Sequence, residues 1–213
     1  MCRGTRAKLY VIGSMAIFGT LGPFVRNISV SSGELALYRA LLAAAVIGLG
    51  LLFTGQRIPF RKIRRSLVLL LISGAAMGVN WILLFEAYRY TTVSAATLSY
   101  YFAPVIVTVL CPVLFRERLT GKQVLCFIMS TVGIVLVTGS VQMSGGRDLI
   151  GILFALGAAV LYATVVLLNK YIRDVDGIHR TFLQFLAAAA ALIPYVALTG
   201  GVTLGTMNTK GWL

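Results

Sequence analysis

The sequence predicts an all-α, polytopic membrane protein, and three observations carry that prediction. Of 213 residues, 59% are hydrophobic and only 12% are charged, and the mean hydropathy is +0.92; a soluble domain carries about 25% charged residues. The apolar residues gather into seven runs, each near the length that crosses ~30 Å of hydrocarbon as a helix. The 19 basic residues fall between those runs rather than on one face of a globular unit. The net charge of +13 is therefore a membrane signature, and nucleic-acid binding, the usual partner of a basic chain, is not expected.

The runs are Leu9–Val25, Leu35–Phe53, Leu67–Phe85, Val93–Phe115, Val124–Val141, Leu149–Leu168 and Phe182–Leu198. Backbone groups in lipid must be satisfied within the segment, so each run reads as a helix. Arg3, Arg6 and Lys8 precede the first run, which lacks a small-residue cleavage site before a soluble domain and reads as a retained signal anchor. Ser31 with Glu34, and Thr120 with Gln123, form Ser/Thr-x-x-Glu/Gln capping boxes ahead of the second and fifth runs. Asp148 is placed to cap the sixth.

Orientation follows from the loops. With the N-terminus in the cytoplasm, 14 Lys and Arg lie on the cytoplasmic side and 4 on the other, with Arg39 inside a span. A multi-pass protein of the cytoplasmic (inner) membrane, with the lipid bilayer as its surroundings, is expected.

The fourth run, from Ser94 to Thr120, organises the rest. Thr97, Tyr101, Pro104, Thr108 and Cys111 recur at helical spacing and share one face. A helix lining a polar pathway has use for such a face; one surrounded by lipid does not. Pro104 and Pro112 each remove a backbone donor and free the carbonyls of Tyr100 and Thr108, and Pro23 frees that of Gly19. These prolines read either as structural kinks or as parts of a gate.

Arg39 is the leading candidate for function. An arginine at the bilayer centre costs at least about 2.5–3.5 kcal/mol, so it pairs or faces water. It lies about 7.5 Å inside the second span. It reads as a partner of Glu86, as a chain snorkelling to the interface, or as a cation facing a cavity and attracting an anionic group. Asn80 and Trp81 lie in the third span, with Tyr88 one turn past its end. Asn80 reads as an interhelical hydrogen bond or a cavity residue, and Tyr88 as an interfacial anchor or a lining residue. In the sixth span Tyr162 and Asn169 share a face, for core packing or for lining. The expected substrate-binding set is Arg39, Asn80, Trp81, Tyr101, Pro104 and Tyr162, between the first, third, fourth and sixth spans.

Other features have plainer readings. Gly74-x-x-x-Gly78 permits close helix approach, either inside the molecule or in a homodimer. Glu117 between Arg116 and Arg118 reads as an interfacial ion pair. The single His179 reads as a solvated or interfacial loop residue, and Cys2, Cys111 and Cys126 as packing residues with no zinc site or disulfide framework. The six acidic residues sit at span ends or in loops. No nucleophile–histidine–acid set or phosphate loop is found, so no enzyme activity, no metal and no cofactor is expected.

A weak repeat joins Ile17-Phe18-Gly19-Thr20 to Leu161-Tyr162-Ala163-Thr164, and Tyr38-Arg39-Ala40-Leu41-Leu42-Ala43 to Leu183-Gln184-Phe185-Leu186-Ala187-Ala188. The copies are five spans apart, and an odd number inverts the second copy. With Pro23, Phe85-Glu86-Ala87-Tyr88-Arg89-Tyr90-Thr91, Ala103-Pro104, Arg116-Glu117-Arg118-Leu119-Thr120 and Gly133-Ile134-Val135-Leu136, these motifs make the chain resemble the EamA-type drug/metabolite transporter family. That resemblance implies ten transmembrane helices in two inverted five-helix repeats, of which seven are seen. The first repeat would occupy 1–141, and a two-helix start of the second 149–213. It also implies alternating-access transport of a small polar metabolite, amino-acid-like or related, by an exporter or exchanger. The alternative is a truncated, non-transporting membrane subunit that needs a partner.

Overall fold

The computed structural model describes residues 9–10, 12–14, 16–17, 30–55, 60–115, 120–139, 146–172 and 175–199. Seven helices follow: α1 (Ser32–Phe53), α2 (Phe60–Tyr90), α3 (Val93–Tyr100), α4 (Ala103–Phe115), α5 (Gly121–Gly139), α6 (Gly146–Tyr171) and α7 (Gly177–Thr199). No strand occurs among the described residues. Five stretches are long and apolar enough to cross a membrane: Ser32–Phe53, Ser66–Tyr90, Val93–Pro112, Gly146–Tyr171 and Gly177–Thr199. The chain is an all-α polytopic membrane protein. Of the first run, 9–10, 12–14 and 16–17 are helical; Phe18-Gly19-Thr20, Pro23 and the Arg116–Glu117–Arg118 pair lie outside the described residues.

The caps fall close to where hydroxyl side chains allow them. Ser31 caps α1 by accepting from the Glu34 amide at 3.2 Å. Thr92, not anticipated, caps α3 by accepting from the Ala95 amide. Thr120 immediately precedes α5, its carbonyl accepting from Val124, while the Gln123 side chain lies outside the description. Asp148 is not the cap of α6. That helix begins at Gly146, which places Asp148 in its first turn, where a carboxylate favours the N-terminal dipole.

α2 is the central post, with α1, α6 and α7 packed on it. Small residues set the approach distances. A Cβ at Gly74 would lie 2.5 Å from the Ala187 Cβ and 2.7 Å from the Gln184 carbonyl oxygen, and one at Gly78 would meet Leu192 at 3.2 Å. The Gly74-x-x-x-Gly78 pair is therefore an internal α2–α7 contact. At the Tyr90 end of α2, a Cβ on Gly151 of α6 would meet Thr91 at 2.7 Å. Ala155, Ala158 and Ala159 continue that strip, all fully buried. α1 and α7 run antiparallel, since Gly33 faces Tyr195 and Gly48 faces Phe182.

The fourth run is not one kinked helix. It breaks at Tyr101 and Phe102 into α3 and α4, with the Phe102 amide reaching back only to Ser99. The cause is Pro104, which has no N–H for the Tyr100 carbonyl and is tolerated only because α4 starts there. Ala95, Ala96, Ser99, Tyr100, Ala103 and Val105 are buried in this run, and the face packed in the main core is Ala96, Tyr100 and Ala103, one residue from the polar stripe.

His179 is not solvated. It is 4% exposed in the first turns of α7, with neither ring nitrogen hydrogen-bonded and Asp176 at 3.9 Å. Folding Gly177–Thr199 as one helix carries this residue out of the loop and into the bundle.

Candidate functional site

The polar residues inside the bundle form two groups, one toward each end of α2. The group nearer Tyr90 is built around Arg39. The seven-residue spacing of Trp81 and Tyr88 sets both on one face of α2, and both are buried. The Arg39 guanidinium lies 4.8 Å from the Trp81 ring centroid, a cation–π contact worth about 0.5–2 kcal/mol. It also lies within electrostatic range of the Tyr88 and Tyr100 hydroxyls. Its Nη1 is buried and has no hydrogen-bond partner.

The expected pairing of Arg39 with Glu86 does not form. Glu86 accepts from the Ser32 hydroxyl at 2.6 Å and faces Arg89 at 3.4 Å. Both partners sit at the helix ends, nearer than Arg39. Glu34 is fully buried and accepts from the Tyr38 hydroxyl. The cation is thus wrapped in aromatic rings and phenols rather than compensated by a carboxylate.

The aromatic surround comes from four helices. Trp81 stacks on Phe185 of α7 at 5.4 Å, and Tyr100 of α3 meets Tyr162 of α6 at 5.6 Å. Tyr88 and Thr97 face each other hydroxyl to hydroxyl at 3.4 Å. Asn80 donates to the Ala158 carbonyl of α6 and lies beside the Tyr100 hydroxyl. Burial differs within the set: Trp81 is 6% and Tyr100 7% exposed, whereas Tyr162 is 41% and Tyr101 40% exposed.

Arg39, Asn80, Trp81 and Tyr162 are therefore brought together, with Tyr100 and Phe185 as members that sequence reasoning missed. Tyr101 stands at the margin, its hydroxyl near enough to Tyr88 to interact. Pro104 is exposed, and its carbonyl is taken by the Thr108 hydroxyl at 2.8 Å. The signal for Tyr100 was present: Ala96, Tyr100 and Ala103 follow the i, i+4, i+7 pattern of a buried face.

The second group lies toward Phe60. Gln184 of α7 donates to Ser73 of α2 at 2.8 Å and to Asn169 of α6 at 2.6 Å. Arg180 donates to the Asn169 and Ile172 carbonyls at the end of α6, both at 3.1 Å. Ser73 in turn donates to Leu70. Asn169, a lining candidate from its position, joins helices through its Oδ1, which accepts from Gln184.

The bundle and its polar interior define the class as a polytopic, all-α membrane protein. The model of the EamA-like transporter family matches residues 5–139, and the chain belongs to that family. It is 32% identical over 192 residues to an uncharacterized transporter, YxxF, of Bacillus subtilis (strain 168), an alignment that covers 89% of this chain and 62% of the relative. It is 28% identical over 142 residues to an uncharacterized transporter of Clostridium kluyveri (strain ATCC 8527 / DSM 555 / NBRC 12016 / NCIMB 10680 / K1), covering 62% of this chain and 46% of that protein. The chain thus spans less than two thirds of the length of these relatives. No solved structure matches it.

Proposed function

We propose that this chain carries the substrate-facing part of a secondary transporter that moves a small polar metabolite across the cytoplasmic membrane by alternating access, as an exporter or exchanger. The observation that carries the reading is Arg39. Its guanidinium is held inside a span with a buried N–H that no described residue satisfies. A permanent cation in that position is costly in lipid and is kept where a polar path or solute meets it. The antiparallel packing of α1 on α7 supports two inverted halves, 1–141 and the helices from 149 onward. The loop charges support a cytoplasmic N-terminus.

The reading is tested by efflux and counterflow of a labelled metabolite panel from proteoliposomes. At least one amino-acid-like solute moves faster than through empty liposomes, and Arg39→Ala lowers that rate at least tenfold while the protein still reconstitutes. Panel-wide flux equal to that of empty liposomes refutes it. Such a result would favour an accessory membrane subunit, a reading that draws on the relatives' greater length.

A further inference from the structure

We infer that Arg39 takes the carboxylate of a small monoanionic solute, whose flat apolar body lies against the Tyr100–Tyr162 ring pair. The inference rests on the transporter reading above and assigns the chemistry of its site. Four observations support it.

First, among the described residues no carboxylate is bonded to Arg39. Glu34 receives the Tyr38 hydroxyl, and Glu86 is occupied by Ser32 and Arg89. The groups facing the guanidinium are the Trp81 ring and two phenols, all neutral at physiological pH. Second, among the described residues the cluster holds one cation. Arg89 is drawn to Glu86, Lys170 lies 4.2 Å over the Phe115 ring at the other end of the bundle, and Arg180 is spent on the carbonyls ending α6. One half-buried positive charge, with its Nη1 fully buried, is matched by one negative charge. A phosphate dianion would leave a net negative charge in a low-dielectric setting, which is strongly unfavourable.

Third, the geometry of the donor suits a carboxylate. The guanidinium is a planar fork that binds planar oxyanions through paired N–H groups, and its Nη1 is free of other partners. Trp81 lies beneath the guanidinium at 4.8 Å, with Phe185 behind Trp81. Fourth, the neighbouring surface is aromatic and asymmetrically open. Tyr100 is buried and its ring partner Tyr162 is 41% exposed, so a flat solute has ring faces to lie against and an approach from the Tyr162 side. The phenols of Tyr88 and Tyr100 add neutral donors that help hold a carboxylate without adding charge.

The test uses the fluorescence of Trp81 in the whole chain, purified in dodecyl maltoside, with Trp212→Phe removing the other tryptophan. The probes are 3-phenylpropionate, its neutral amide and inorganic phosphate. 3-Phenylpropionate quenches Trp81 saturably, the amide binds at least tenfold more weakly, and phosphate does not compete. Arg39→Lys retains weakened binding; Arg39→Gln loses at least tenfold with an unchanged melting midpoint. Equal binding of acid and amide overturns the inference, as does Arg39→Gln binding like the parent, or no quenching by either probe. Displacement of 3-phenylpropionate by added phosphatidylglycerol also overturns it, since the anion would then be a lipid headgroup. Binding as expected, but with no counterflow in proteoliposomes, leaves the carboxylate subsite standing and removes the transporter reading instead.

Discussion

The two polar groups along α2 solve the same problem in opposite ways. Toward Phe60, Gln184, Ser73 and Asn169 donate and accept among themselves across three helices, and Arg180 spends its N–H groups on backbone carbonyls. Toward Tyr90, Arg39 is set on an aromatic ring with a buried N–H left open. A network whose members satisfy one another holds helices together. A buried donor left unmet costs about 1–3 kcal/mol, more when charged, and a fold keeps such a donor where something else meets it. The Gln184 network closes on itself and the Arg39 cluster does not; His179, in the first turns of α7, is a separate buried side chain whose ring nitrogens are not hydrogen-bonded.

Changes that break helix packing or the Gln184 network should destabilise, and loss of the Arg39 charge should not. The largest effect is expected from Gly74→Val, whose Cβ alone would sit 2.5 Å from Ala187 and 2.7 Å from the Gln184 carbonyl. Separating α2 from α7 should cost about 3 kcal/mol, read as a lower thermal midpoint and loss of a monodisperse peak in detergent. Next is Gln184→Leu, which strips Asn169 and Ser73 of their shared partner; a loss of about 2 kcal/mol is expected in chemical unfolding. Arg39→Leu should go the other way, leaving stability unchanged or raising it by about 1 kcal/mol, because it removes a buried charge without orphaning an acid. If Arg39→Leu destabilised as much as Gln184→Leu, the contrast between the two ends would fail. The smallest effect is expected from Thr92→Ala, about 0.5–1 kcal/mol through loss of the cap on α3, seen as faster amide exchange at Ala95 than at Ala96.

Much of this was legible in the sequence. Apolar runs located the helices, because in hydrocarbon the backbone has no alternative partner. Their ends were less legible. α2 runs from Phe60 to Tyr90, although its apolar run covers only 67–85, because helical hydrogen bonding does not stop where hydrophobicity does. Arg39, Asn80, Trp81 and Tyr162 were found because a polar or amphipathic residue is conspicuous in an apolar run. Tyr100 was passed over for Tyr101 because the polar stripe Thr97, Tyr101 and Pro104 is the conspicuous face, whereas the face packed in the core, one residue earlier, is Ala96, Tyr100 and Ala103. Gln184 was visible only as the repeat counterpart of Arg39. Its partners, Ser73 and Asn169, lie 111 and 15 residues away, and no spacing rule joins them.

The length of α2 has a bearing on the bilayer itself. Its candidate span, Ser66–Tyr90, has 25 residues and measures about 37 Å along the axis, against ~30 Å for an average hydrocarbon layer. Its last turns carry Glu86 and Arg89, which belong at the headgroup level, so a bilayer thinner or thicker than the remaining run is met by leaning or by a local change in the lipid. Because α1, α6 and α7 are fastened to this helix through glycine and alanine contacts, they must share whatever adjustment it makes. Acyl-chain length therefore becomes a mechanical input to the whole bundle.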